Sequence, residues 1–156
     1  MGTRYPGSPK EVRALNAFIA LSRAAESLHA RLNRSLEEAG LSVGQFGTLE
    51  ALYHLGPLCQ RDVSRKLLRT GGNVVMIADN LEKRGLLRRV RGEKDRRQIR
   101  LHLTEKGRAK VRSVFPPHLA RIVALMEALS SSEQEELRRL CRTLGLQQDR
   151  TKEAHP

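Results

Sequence analysis

Between Lys83 and Arg100 the sequence sets nine basic side chains, Lys83, Arg84, Arg88, Arg89, Arg91, Lys94, Arg96, Arg97 and Arg100, against only Glu93 and Asp95. Guanidinium and ammonium groups stay protonated near neutral pH. Their chemistry is to hold phosphate or carboxylate oxygens by charge-assisted hydrogen bonds. The densest part, "EKDRRQIRLHLTEKG" at 93–107, puts Arg96 and Arg97 where the adjoining chain offers little to neutralise them. Catalytic constellations are missing by comparison: there is no nucleophile elbow, phosphate loop, metal-binding helix motif or cluster of carboxylates, which argues against an enzyme. His29, His54, His102 and His118 are scattered, so no sequence-local metal site is expected, and no cofactor motif is present.

The whole composition leans the same way. Lys and Arg number 29 against 17 Asp and Glu, a net charge of +12 and a pI near 10.8, which favours a polyanionic partner. The 156 residues amount to one domain, with 39% hydrophobic content for a core but only 3% aromatics, so aliphatic packing must dominate. That scarcity also leaves no aromatic platform for stacking single-stranded bases. Cys59 and Cys141 lie far apart without C-x-x-C spacing. Together with the lack of a signal-peptide pattern or an apolar run of membrane-spanning length, they predict a reduced, soluble, cytoplasmic chain.

These side chains need elements to hold them. Residues 1–9 carry two Pro and two Gly and read as a fraying tail. From Lys10 to Ala39, Leu15, Phe18, Ile19, Ala25, Leu28, Leu32 and Leu36 recur at helical steps until Gly40. A helix this long overhangs a small core, so part of its apolar stripe is expected to meet another subunit. Ser42 and Gln45 form a capping box for a second helix with Val43, Phe46, Leu49, Leu52 and Tyr53 as its buried stripe, stopped by Gly56 and Pro57. Leu58 and Cys59 read as a very short strand, followed by a helix over Gln60–Arg69 with Val63, Leu67 and Leu68 inward.

"TGGN" at 70–73 is then a tight turn, with Thr70 as N-cap, into a helix reaching Arg84 that buries Val74, Ile77, Ala78 and Leu81. Two short helices joined in this way form a helix-turn-helix. After Gly85, "LLRRVRG" and "QIRLHL" read as two strands, with Ile99, Leu101 and Leu103 on one face, and make a protruding hairpin with a loop over about 91–98. Thr104 caps a further helix that Pro116 and Pro117 should kink or break near Phe115. Ser130 and Glu133 open a last helix through Leu137, Leu140, Cys141 and Leu144, expected to end at Gly145 before a disordered tail.

A helix-turn-helix followed by a basic hairpin resembles the MarR family of bacterial transcriptional regulators, from about Val12 to Leu146. "NVVMIADNLEKRGLLRR" at 73–89 is similar to that family's recognition helix running into the first wing strand. "DRRQIRLHLTEKG" at 95–107 is similar to its wing signature, Asp-Arg-Arg and alternating apolar residues followed by Leu-Thr-x-x-Gly. The implied fold is mainly α with a small β-wing, a winged helix-turn-helix with N- and C-terminal dimerisation helices. The implied organisation is one domain over 1–156: dimerisation helices at 10–39 and 104–146, a DNA-binding lobe at 42–103, and flexible tails at 1–9 and 147–156.

Carried onto this chain, the resemblance puts the 70–84 helix in the major groove of double-stranded DNA. Gly72, Asn73, Val75, Met76 and Asn80 face out; Asn73 can read an adenine edge, and Val75 and Met76 can contact thymine methyls. The family often has Thr and Arg where Val75 and Met76 stand. Arg97 is expected in the minor groove, with Arg91, Lys94 and Arg96 near phosphates and Asp95 holding the wing in shape. Further phosphate contacts are expected from Arg61, Arg65, Arg69 and Thr70, the last two beside the positive end of the helix.

The resemblance also implies a homodimeric repressor on a pseudopalindromic operator, released by a small aromatic ligand. "LYHLGPL" (52–58) and "LLRTGGNVV" (67–75) are similar to the branch that responds to hydroquinones and other aromatic electrophiles. Candidate pocket residues are Phe18, His29, Phe46, Leu49, Tyr53 and His54, although side chains at this spacing also suit a plain core. A ligand-independent architectural DNA binder and a thiol-based redox regulator are the alternatives.

Overall fold

The computed structural model describes residues 3–67, 70–91 and 99–152, with side chains described up to residue 145. The elements run α1 (Pro9–Glu38), α2 (Val43–Leu55), β1 (Leu58–Cys59), α3 (Gln60–Lys66), α4 (Gly71–Lys83), β2 (Leu87–Arg91), β3 (Ile99–Leu103), α5 (Glu105–Met126) and α6 (Ser131–Lys152). They fall into two compact units, Met1–Leu119 and Ala120–Pro156. The architecture is mainly helical with a small antiparallel sheet, as the periodicities predict.

In the first unit α1 starts at a full capping box. Ser8 Oγ accepts from the Glu11 amide, the Glu11 carboxylate accepts from the Ser8 amide, and Pro9 follows the cap. The Thr3 amide also donates to Asn16 Oδ1 at 2.6 Å. Gly40 ends α1 and Gly85 ends α4 with φ of 69° and 70°. Each lets the next residue donate back to a carbonyl five earlier, Leu41 to Leu36 and Leu86 to Leu81, a closure that requires the left-handed backbone glycine adopts freely.

The core joins Leu36, Phe46, Leu49, Leu52, Val63, Val74, Ile77, Leu81, Leu87, Leu101 and Val111. The four predicted inward residues of α4 are all buried there. The sheet order is β1-β3-β2, with Leu58 opposite Leu101 and Leu87 opposite Leu103. Leu101 is fully buried and Leu103 packs against the core, but Ile99, placed on the buried face by alternation, is exposed because it sits at the far end of the hairpin, beyond the core. Val43 departs in the same way, standing exposed in the open first turn of α2.

Helix α3 ends at Lys66, three residues before the expected Arg69. Pro116 and Pro117 do not break α5, which continues through both. Proline removes the bonds to the carbonyls of Arg112 and Ser113, but those residues are exposed, where solvent can take the lost donors' place. In the second unit α6 begins at the predicted Ser130–Glu133 capping box, and Gln134 Nε2 donates to the carbonyls of Met126 and Leu129. It runs past Gly145 to Lys152. A lone glycine costs a helix only about 1 kcal/mol, and Leu144, Leu146, Gln147 and Gln148 around it are good helix formers.

Candidate nucleic-acid interface

Helix α4 has two unlike sides. Val74, Ile77, Ala78 and Leu81 are buried, while Gly72, Asn80 and the side chains of Val75 and Met76 are exposed, Met76 to 66%. Asn73 is half-buried. An exposed methionine and valine side by side on a helix that already has a complete buried face add nothing to this core. They suit contact with something outside.

The N-terminal end of α4 is open. Thr70 stands at the N-cap in extended backbone, but its side chain caps nothing, so the expected side-chain cap is not made. A β-carbon placed on Gly71 or Gly72 would meet nothing within 4 Å. The first-turn amides point into that open space, where the helix dipole favours an anion. On α3, Arg61 is exposed, and Arg65 is exposed beside Asp62 at 3.8 Å. That pair leaves the Arg65 guanidinium largely accessible.

One residue fastens this helix to the hairpin. Arg89 on β2 reaches across to Asp79 at 2.6 Å and Glu82 at 2.5 Å, both on α4, and lies 3.5 Å from the Val75 carbonyl. The Arg89 amide also donates to Glu82 Oε1 at 2.8 Å. Burial pulls its pKa down, but hydrogen bonds and charge from Glu82 and Asp79 outweigh that and raise it above its ordinary value. The clamp was not foreseen, although Asp79 and Glu82 three apart on one helix face were a visible signal.

At the foot of the hairpin, Thr104 Oγ1 donates to the Gly85 carbonyl at 2.7 Å and accepts the Gly107 amide at 3.0 Å. The strands then extend to the pair Arg91 and Ile99, with Arg91 exposed at the end. Lys94, Asp95, Arg96 and Arg97 of the hairpin, and Arg69 before α4, lie outside the described residues.

Gln45, expected as a capping residue, has a second role that the sequence does not show. Its Oε1 caps the Ser42 amide at 3.1 Å and accepts from Arg84 at 3.3 Å, while its Nε2 donates to Asn80 Oδ1 at 2.9 Å. It therefore ties the start of α2 to the outward side of α4. Beside it runs a groove of about 680 Å³ that includes Asn73, Met76 and Asn80.

The six candidate pocket residues stand in different surroundings. Phe46 and Leu49 belong to the core, whereas Phe18 and His29 are exposed on α1. Tyr53, His54 and Phe115 form an edge-to-face chain with centroids 5.1 and 5.2 Å apart, and Phe46 meets His118 at 4.8 Å. His54 lines a cavity of about 350 Å³ with Gly47, Glu50, Ala51 and Lys66. No group of three metal-binding side chains occurs among the described residues, and none of their helices is long and apolar enough to cross a membrane.

Comparison with known proteins decides what this arrangement belongs to. Residues 39–98 match the MarR family. The HTH-type transcriptional regulator MhqR of Bacillus subtilis is 34% identical over 134 residues, covering 86% of this chain and 92% of that protein. The chain belongs to the MarR family. Its fold matches the MarR-family regulator AbsC of Streptomyces coelicolor with a TM-score of 0.82 at 21% identity, covering 94% of this chain and 99% of that one. The Bordetella bronchiseptica protein BpsR, described for regulation of its DNA binding by 6-hydroxynicotinic acid, matches with a TM-score of 0.75 at 25% identity, over 83% of this chain and 98% of that one. As a MarR-family regulator of transcription the chain is a DNA-binding protein and not an enzyme, and α3, α4 and the β2–β3 hairpin are its winged helix-turn-helix.

Proposed function

We propose that this regulator is a homodimeric repressor that grips a pseudopalindromic operator and lets go when a small aromatic molecule binds. The observation that carries the DNA reading is α4: one face wholly buried, Val75 and Met76 bare on the other, an open N-terminus, and Arg89 setting its angle to the hairpin. In this reading Gly72, Asn73, Val75, Met76 and Asn80 meet base edges. Arg61, Arg65, Arg69, Thr70, Arg91, Lys94 and Arg96 meet phosphates, Asp95 shapes the wing, and Arg97 enters the minor groove.

Dimerisation is supported by the apolar side chains the helices leave exposed, Phe18 and Leu21 on α1 and Leu137, Leu140 and Leu144 on α6. Two copies then present α4 to half-sites about 34 Å apart. Release by an aromatic ligand draws on the likeness to BpsR, whose DNA binding is described as regulated by 6-hydroxynicotinic acid. The cavity beside His54, with Lys66 at its edge, suits a phenolate or carboxylate. An operator on chromosomal DNA fits a cytoplasmic protein.

The test is footprinting on the DNA flanking its own gene, with and without phenols and quinones, for the parent and Arg97→Ala. Protection of two half-sites one turn apart, lost on adding a ligand, is the expected result. Arg97→Ala should bind more weakly and lower the slope of log K against log[salt] by about 0.9. Retention of all duplexes alike, indifferent to ligand, would make the protein an architectural binder. Full affinity in Arg97→Ala would remove the wing from the interface.

A further inference from the structure

At the C-terminal end of α4 the chain encloses a concavity of about 350 Å³ lined by Lys83, Arg84, Leu86, Lys106 and Lys110. Four of these five side chains are cations. Among the described residues no carboxylate lies within ion-pair distance of any of them. The acidic groups nearest in sequence are engaged elsewhere, Glu82 with Arg89 and Glu105 with Arg108.

The C-terminal end of α4 accounts for three of these four cations. Lys83 and Arg84 stand where the α4 dipole favours cations, and Lys106 Nζ donates to the Arg84 carbonyl at 2.9 Å. Lys110 is different, and it shares its helix with Lys106. They occupy the first turns of α5, where the dipole disfavours cations, and lie one turn apart, where like charges repel. Lys110 is half-buried as well. A protein that only needed solubility would spread these charges out.

We propose that this concavity is an anion site, separate from the DNA interface, for a small molecule carrying two or more adjacent phosphates. A single phosphate leaves most of the four cations unmatched, whereas a diphosphate meets them with comparable charge. The three lysines act as point charges around the phosphates, while the Arg84 guanidinium, one of whose nitrogens already donates to Gln45 Oε1, adds charge and its remaining N–H donors. Leu86 supplies a short apolar wall.

The position separates it from the duplex. Helix α4 spans 13 residues, about 20 Å, from its open N-terminus at Gly71 to this end. The site also lies at the foot of the hairpin, beside Leu87 and Leu103, whereas the part predicted to enter the minor groove lies beyond Arg91 and Ile99. Phosphate ligand and operator can therefore occupy one chain together.

Inorganic pyrophosphate and a nucleoside diphosphate, titrated calorimetrically into the full-length protein, test this. One site per chain is expected, with binding weakened about tenfold or more in Lys106→Gln/Lys110→Gln. The single variant Lys110→Gln, with the folded state checked by circular dichroism, guards against a folding defect. A nucleoside diphosphate that outbinds pyrophosphate identifies a nucleotide as the source of the phosphates; equal binding identifies the phosphate chain alone. Weak binding that is the same in parent and variants would overturn the proposal. So would displacement of bound operator by pyrophosphate with a loss of salt slope in the variants, since the cations would then be DNA contacts.

Discussion

Replacing Arg89 with alanine removes a side chain that ion-pairs the reading helix to the wing strand. Its side chain is 22% exposed, against 51% for Asp79 and 37% for Glu82, so both ion pairs are partly screened. At the upper end of the range for such pairs, about 1 kcal/mol each, the clamp contributes about 2 kcal/mol. Its loss should lower Tm by roughly 4–8 °C. With the hairpin no longer held at one angle to α4, operator affinity should fall about tenfold, or ~1.4 kcal/mol. The slope of log K against log[salt] should not change, because Arg89 is spent on carboxylates and not on phosphate. Fluorescence anisotropy on a labelled operator at several salt concentrations gives both quantities. A thermodynamic cycle with Glu82→Gln should return a coupling of about 1 kcal/mol. Zero coupling, or a slope reduced by about 0.9, would refute the reasoning, the latter by showing that the guanidinium touches DNA.

Other outcomes follow from the same coordinates. Asn73→Ala should cost about 1–3 kcal/mol on the preferred operator and relax selectivity at a single base pair, which competition with single-position operator variants would show. Gly107→Ala should destabilise the chain by about 3 kcal/mol, because the added carbon overlaps the Leu86 carbonyl oxygen and crowds Leu103 Cδ2; an unchanged Tm would contradict that packing. Burial first, then the charges of Arg88 and Arg100, hold the His102 pKa below its ordinary 6.5. The unfolded chain therefore takes up a proton that the folded one refuses, so stability present at pH 7.5 is lost as pH falls through about 6.5 towards the folded value. His102→Gln should flatten that part of a Tm-against-pH series.

Local rules carried much of the fold. The Ser42–Gln45 and Ser130–Glu133 boxes, the four inward residues of α4, the stops at Gly40, Gly56 and Gly85 and the cap at Thr104 each depend on neighbours within a few positions, and each was legible. Errors came where a local rule met a distant environment. The prolines expected to kink or break α5 leave it continuous because they lie on an exposed stretch, and Ile99 has the right alternation but lies past the edge of the core. The long-range ties were invisible for the same reason. Arg89 and Gln45 are ordinary polar residues until folding brings β2 and α2 against α4.

Gln45 has a consequence for the vocabulary of the operator. By donating to Asn80 Oδ1, it engages the oxygen of that amide and leaves the two N–H hydrogens as what the amide has to offer a further partner. An asparagine held this way speaks only to atoms that accept, such as guanine N7 and O6 or thymine O4, and is poorly suited to the paired donor-and-acceptor grip on adenine. One letter of the target would thus be chosen by a glutamine two helices earlier in the chain, one that need not touch DNA.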